Sequence, residues 1–231
     1  MLDNRYICNE AMYKPDAAEA LSSYFSDIAE FELFYASIRT PLRKNQFLRV
    51  ACFYLYLVKR GDWHIYTEKS DSIITYLTNS YKIVGLFSLI ESLSDEPHEE
   101  FYQWLQKKDS LAIFPIKDRS EIDKLYNDYK VSFGSIRRCI AFFERLSPSR
   151  KKELCNAVHI DHVPLDSIKD VAKFLYNLRS KFVHEAWMVL QVSQFNHLSR
   201  SKKKFVNTKL SINLLLEAFE EGLVAYFRYG T

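Results

Sequence analysis

Apolar side chains recur at three- and four-residue intervals along most of this chain, and that spacing limits most strongly what it can form. It places the apolar groups on one face of a helix, whereas a half-buried strand needs strict alternation. Ile122, Leu125, Tyr126, Tyr129, Phe133, Ile136, Ile140, Phe143 and Leu146 hold such a face from Ser120 onward, with Gly134 as the place for a bend. Leu214, Leu215, Phe219, Leu223 and Phe227 hold another from about Ser211 to Tyr229. Asp16, with Glu19 three residues on, reads as the start of a helix that carries Leu21, Phe25, Ile28, Phe31, Leu33 and Phe34 to about Ile38. Thr40-Pro41 ends it, because the residue before a proline is pushed out of the helical region. A very apolar helix from about Leu42 to Lys59 follows and is closed by Arg60-Gly61-Asp62, which makes the first third a helical hairpin.

Ser70 or Asp71 caps a long helix to about Leu93, and Ser94-Asp95-Glu96-Pro97 breaks it. A short helix runs from Pro97 to about Lys107, followed by a loop to Arg119. Ser147-Pro148-Ser149 opens another short helix to about Val158, and Pro164 separates it from a helix capped by Asp166 or Ser167. Trp187 to Val192 and Phe205 to Leu210 are short, partly β-branched stretches that read as the two strands of a hairpin. The expected fold is therefore all-α, an antiparallel helical bundle with a small β-hairpin near 187–210. Residues 1–66 are expected as an N-terminal helical hairpin packed on a helical domain of 67–231, unless 1–231 is one continuous domain.

Five Gly and six Pro against 48% hydrophobic residues suit a buried core and not a disordered chain. With 15 Tyr and 17 Phe, that core and any dimer face should be rich in aromatic rings. A net charge of +3 is too mild for the whole chain to demand a nucleic acid, so any such contact must come from a local patch. Cys8, Cys52, Cys139 and Cys155 form no Cys-x-x-Cys pair, which fits reduced thiols and a cytoplasmic location. The longest uninterrupted apolar run, Val50 to Val58, is far short of the ~20 residues of a membrane span, so a soluble protein without a membrane partner is expected. No phosphate-cradling glycine loop, Gly-x-Ser-x-Gly elbow or dinucleotide fingerprint supports nucleotide hydrolysis, ester hydrolysis or hydride transfer.

The chemistry-bearing stretch is Leu175 to Ala186, where Arg179 and His184 are set into the apolar stripe of Phe174, Leu175, Leu178, Phe182 and Val183. At ~100° per residue, Ser180 and His184 stack one turn apart, while Arg179 and His184 diverge by roughly 140°. One straight helix does not easily aim both at one atom. Either the Arg stem curls round the helix, or two copies of the helix face each other across a symmetric dimer. A plainer reading gives the Arg a carboxylate partner and the His a backbone carbonyl.

Leu175-Tyr176-x-Leu178-Arg179-Ser180-x-x-Val183-His184 resembles the motif of the HEPN superfamily, and its wording is most similar to the Apea-like branch. In that branch a Leu-x-Glu-x-Leu-like helix lies upstream, and Leu89-Ile90-Glu91-Ser92-Leu93 fits it. The likeness runs from Asp71 to the C-terminus. Ser180 stands where many members have Asn or Asp, and Glu185 where many have Gly. The resemblance implies a metal-independent RNA endonuclease, a homodimer of the toxin or antiviral-defence kind, with RNA as substrate and an antitoxin or regulatory protein as a partner. It needs no cofactor and no metal. His184 would be the general acid/base, Arg179 the phosphate clamp, and Ser180 a group bonding the imidazole or the phosphate. The alternative is the same fold kept as a non-catalytic RNA- or nucleotide-binding or protein-interaction module, or as a structural adaptor.

Around these three, Glu91 could orient Arg179 or belong to a solvated face with Ser88, Ser92 and Asp95. Tyr176 could stack on a base or pack in the core, and Asn177 could share the polar face of Ser180. Arg200, Lys202, Lys203 and Lys204 form a compact basic run that steers phosphates or is simply a solvated loop. Cys155, His159, Asp161 and His162 offer enough ligand types for zinc, but the spacing matches no standard site and a loop is the better reading.

Overall fold

The computed structural model describes residues 5–62, 71–93, 99–107, 118–201 and 204–229. It is mainly helical, with one small antiparallel sheet. The first helices, α1 (Arg5–Cys8) and α2 (Glu10–Ala20), depart from expectation. Asp16 caps nothing: α2 begins six residues earlier and carries Pro15 inside it, and Asp16 instead accepts a hydrogen bond from the Tyr56 hydroxyl at 2.9 Å. The chain then breaks, and α3 (Ile28–Ser37) starts afresh at Asp27, whose carboxylate accepts from the Glu30 amide at 2.9 Å. The Glu30 side chain in turn accepts from the Ser26 amide at 3.1 Å. Leu21 and Phe25 before α3 and Phe31 and Phe34 within it are all buried. The apolar stripe thus crosses the break, and spacing alone reads it as one helix.

Thr40 caps α4 (Pro41–Phe53) by accepting from the Arg43 amide at 3.2 Å, and α4 runs into a π-helical turn, Tyr54–Lys59. The wider turn re-aims its side chains by an extra residue. Tyr54 and Lys59 both meet Glu220 on the last helix, α11 (Ile212–Tyr229), the hydroxyl and the ammonium each 2.9 Å from Oε1. The other carboxylate oxygen accepts from the Ser23 amide at 3.1 Å, and Glu220 is only 1% exposed. Lys59 also donates to the carbonyl of Ala20 at 2.9 Å, at the end of α2.

α5 (Asp71–Ser92) lies against the π turn, α8 (Ser135–Phe143) and α10 (Ile168–Glu185), burying Ile83, Leu86, Phe87 and Ile90. By length and composition alone Ser72–Ser92 is apolar enough to cross a membrane, as core helices often are. α6 (Phe101–Gln106) and α7 (Arg119–Phe133) share a separate small cluster of Trp104, Leu105 and Leu125. The expected bend at Gly134 is a complete break, with φ −66° and ψ 121° between α7 and α8. Its amide bonds the Lys130 carbonyl at 2.9 Å, and a Cβ there would collide with that same carbonyl. Gly222 on α11 serves closeness of a different kind: a Cβ would fall 2.5 Å from the Phe142 ring of α8. The breaks expected at Ser94 to Pro97 and in the loop before Arg119 lie outside the described residues, apart from Asp118.

α9 (Pro148–Asn156) leads into β1 (Val158–Ile160) and β2 (Val163–Pro164), and β3 (His197–Ser201) and β4 (Lys204–Thr208) follow α10. The sheet order is β2-β1-β4-β3, all antiparallel, with Ile160 opposite Val206 and Val206 opposite Ser199. A hairpin therefore exists, but Trp187 to Val192 is not its first strand. The reason is competition for backbone bonds. The Val189 amide donates to Ser80 Oγ at 3.0 Å, the Val192 carbonyl accepts from Asn79 Nδ2 at 3.0 Å, and the Gln191 carbonyl accepts from Thr208 Oγ1 at 2.8 Å. Side chains of α5 thus occupy groups that a strand partner would need. Asp161 and His162, at φ 51° and 68°, make the tight turn between β1 and β2. One buried cluster draws residues from Tyr6 to Phe227, both from the first 62 positions and from α5, α8, α9, α10 and α11.

The Glu220 contacts set a test of stability. Glu220→Gln removes the counter-charge of a largely buried ammonium, which costs on the order of 3 kcal/mol. Urea unfolding should show a lower midpoint with an unchanged slope, and a loss below about 1 kcal/mol would refute the role given to this pair.

Candidate functional site

Helix α10 carries the Arg179 to His184 stretch and buries Leu175 and Leu178 of the expected stripe, whereas Phe174 lines a cleft and Val183 is exposed. Ser167 caps it by accepting from the Asp170 amide, and Val171, Ala172, Leu175 and Leu178 are buried. It ends at Ala186 in the left-handed region, φ 55° and ψ 30°, a position more often filled by glycine.

The polar groups of α10 go three ways. Arg179 turns to α5, where Nη2 stands 3.9 Å from Glu91 Oε2, with the two side chains 17% and 24% exposed. That distance is an ion pair but too long for a direct hydrogen bond. Arg179 Nε and Glu91 Oε1 are both buried without a hydrogen-bond partner among the described residues. The guanidinium also lies 5.8 Å from the centre of the Tyr176 ring, and that ring packs edge-on against Phe87 at 6.0 Å. Tyr176 therefore both packs in the core and carries the Arg. Beneath them Cys139 is fully buried. Burial and then the Glu91 carboxylate push its thiol up to about 12, while Arg179 pulls the other way.

Ser180 and Asn177 face elsewhere. With Lys181 and Glu185 they line a cleft of about 570 Å³ between α10 and the sheet, closed from the other side by Ile160, Val206, Ser199 and Lys204. Ser180 is half-buried there. His184, on the last turn, is exposed, and around it Val183 and Trp187 are 46% and 65% exposed. Arg179 and His184 thus do not converge within one chain, as their angular separation requires.

Of the basic run, Arg200 is exposed on the face of the sheet away from the cleft, 5.7 Å from the Phe205 ring, whereas Lys204 lines the cleft. Lys202 and Lys203 lie outside the described residues. No group of three His, Cys, Asp or Glu among the described residues is placed to hold a metal. Asp161 is engaged with β4, its carboxylate accepting from the Phe205 amide at 2.8 Å. Lys181, Glu185 and Gln191 escaped the reading of the sequence. The first two share the three-and-four spacing of Phe174 and Asn177, a signal that was present, while Gln191 reaches the cleft only through the clamp on 187–193. No family model matches the chain, and no curated protein or solved structure matches it.

Among the cysteines, Cys8 is exposed and Cys139 is shielded behind Arg179. At pH 8 iodoacetamide should modify Cys8 and spare Cys139, whose thiolate forms only as pH nears about 12; in urea its pKa returns to the ordinary range and it should react. Mass spectrometry of the labelled chain reads the outcome, and equal labelling in the folded state would show that this side of α10 opens.

Proposed function

We propose that the chain is a metal-independent endoribonuclease with a HEPN-like helical bundle, acting as a symmetric dimer in a toxin or antiviral-defence role. The observation that carries this reading is the state of Arg179. Its guanidinium is held by charge against Glu91 at 3.9 Å yet is not hydrogen-bonded by it, so its Nη donors, unlike the buried Nε, are left for a phosphate. His184, exposed at the end of the same helix, supplies the proton transfer. An isologous pairing of α10 with its copy brings the arginine of one chain to the histidine of the other, and exposed Val183 and Trp187 give that pairing an apolar rim.

The chemistry follows from those two groups. The imidazole takes the proton of a ribose 2′-hydroxyl, the 2′-oxygen attacks phosphorus, and the bond to the 5′-oxygen breaks. The second imidazole of the dimer protonates the departing 5′-oxygen, and the guanidinium stabilises the equatorial oxygens as negative charge grows. A 2′,3′-cyclic phosphate and a 5′-hydroxyl remain. A second reading, a non-catalytic RNA-binding module, is favoured by the limited exposure of Arg179, 17% for its side chain.

The protein should cleave RNA in EDTA, leave cyclic phosphate ends and spare DNA, which lacks the attacking hydroxyl. His184→Ala should lower the rate by about 10²–10⁴, and Arg179→Ala should cost a few kcal/mol of transition-state stabilisation, with circular dichroism unchanged for both. Wild-type protein that cuts nothing in a total RNA pool, or a His184→Ala variant that cuts equally well, leaves the binding module as the function. Light scattering should give a dimer at micromolar concentration, and a monomer would rule out the shared site.

A further inference from the structure

The cleft between α10 and the sheet has a chemistry of its own. Its volume of about 570 Å³ lies in the range of small-ligand sites. Phe174, Asn177, Lys181 and Glu185 follow one another along the helix at three- and four-residue steps and form one stripe about 16 Å long facing the sheet. Opposite them Ile160 and Val206 give an apolar floor, and Lys204 and Gln191 add a second ammonium and a second amide.

An apolar ligand would desolvate two ammonium groups and a carboxylate and offer them no counter-charge, since the Trp187 ring 5.4 Å from Lys181 Nζ carries none. A bare phosphate would leave the Phe174 ring, the apolar floor and Glu185 unused. A nucleoside phosphate uses all of them. Its base fits between Phe174 and the apolar floor, an amide complements the paired donor and acceptor of a base edge, a carboxylate accepts from ribose hydroxyls, and ammonium groups take the phosphate. We infer that this cleft binds one ribonucleotide, with Lys181 and Lys204 on its phosphate, Glu185 on its ribose and Asn177 and Gln191 reading its base. The inference rests on the RNA reading above for the source of the nucleotide and is independent of cleavage.

Calorimetric titration of the His184→Ala chain separates the two ideas, since binding is then read without turnover. 5′-AMP should bind saturably, and Lys181→Gln and Lys204→Gln should each weaken it about tenfold, the loss of one charge-assisted contact. Glu185→Gln should narrow the preference for 5′-AMP over its 2′-deoxy counterpart, and Asn177→Ala should level the affinities of the four ribonucleoside monophosphates. Displacement of 5′-AMP by a six-residue oligoribonucleotide would support the inference with the cleft as a subsite for an RNA chain. Failure to displace would support it with free mononucleotide as the ligand. Inorganic phosphate binding as tightly as 5′-AMP, or 5′-AMP binding that ignores both lysine substitutions, would overturn it.

Discussion

The buried carboxylate of Glu220 ties the first third of the chain to its last helix. A buried charge is tolerated only when its lone pairs are taken up, and here an ammonium and a phenol from the π turn and the Ser23 amide just after α2 do so. The π turn is the geometric condition for this, because it re-aims Tyr54 and Lys59 relative to the α4 face that packs in the core. Tyr54 is fully buried, its ring 4.6 Å from Phe219 and its hydroxyl on Glu220. Burial and the neighbouring carboxylate both raise the Tyr54 pKa, so the phenol keeps its proton and stays a donor. Apolar packing supplies most of the attraction between α11 and the N-terminal helices, and the polar set decides the register in which they meet.

With α11 and the π turn placed, α5 becomes the wall against which α10 is read. It touches the π turn on one side and α10 on the other. Its Asn79 and Ser80 hold the segment that follows α10, and its Glu91 holds Arg179. One helix thus orients the guanidinium and also bends the chain after Ala186 so that Gln191 and the hairpin come back over the cleft. α10 consequently serves three environments at once. Its core face is apolar, its Arg179 side is drawn into the protein, and its Asn177 to Glu185 side opens to the cleft. A turn of 3.6 residues sets residues five apart on different sides of the helix, and the pull of Glu91 keeps the Arg179 stem from curling round toward His184.

The apolar periodicity of α10 and α11, the helix starts at Ser147 and at Asp166 or Ser167, and the divergence of Arg179 from His184 were all legible from residue spacing. Each is a short-range property, set by residues a turn or two apart along the helix. The mainly helical character followed for the same reason. The break at residues 21–27, the π turn and the four-stranded sheet were not legible. The stripe of Leu21, Phe25, Phe31 and Phe34 remains buried across the break, so periodicity carries no mark of it. The strand expected at Trp187 to Val192 failed because Asn79 and Ser80 of α5, more than a hundred residues earlier in the chain, and Thr208 of β4 take up backbone groups that it would need. Which oxygen accepts from Lys59, whether Glu91 reaches Arg179, and which side chains close the cleft are likewise contacts between distant segments. Local spacing determined the helices and the direction in which each polar group leaves its helix; only the tertiary structure decided what each one meets, because that depends on burying groups from separate parts of the chain against one another.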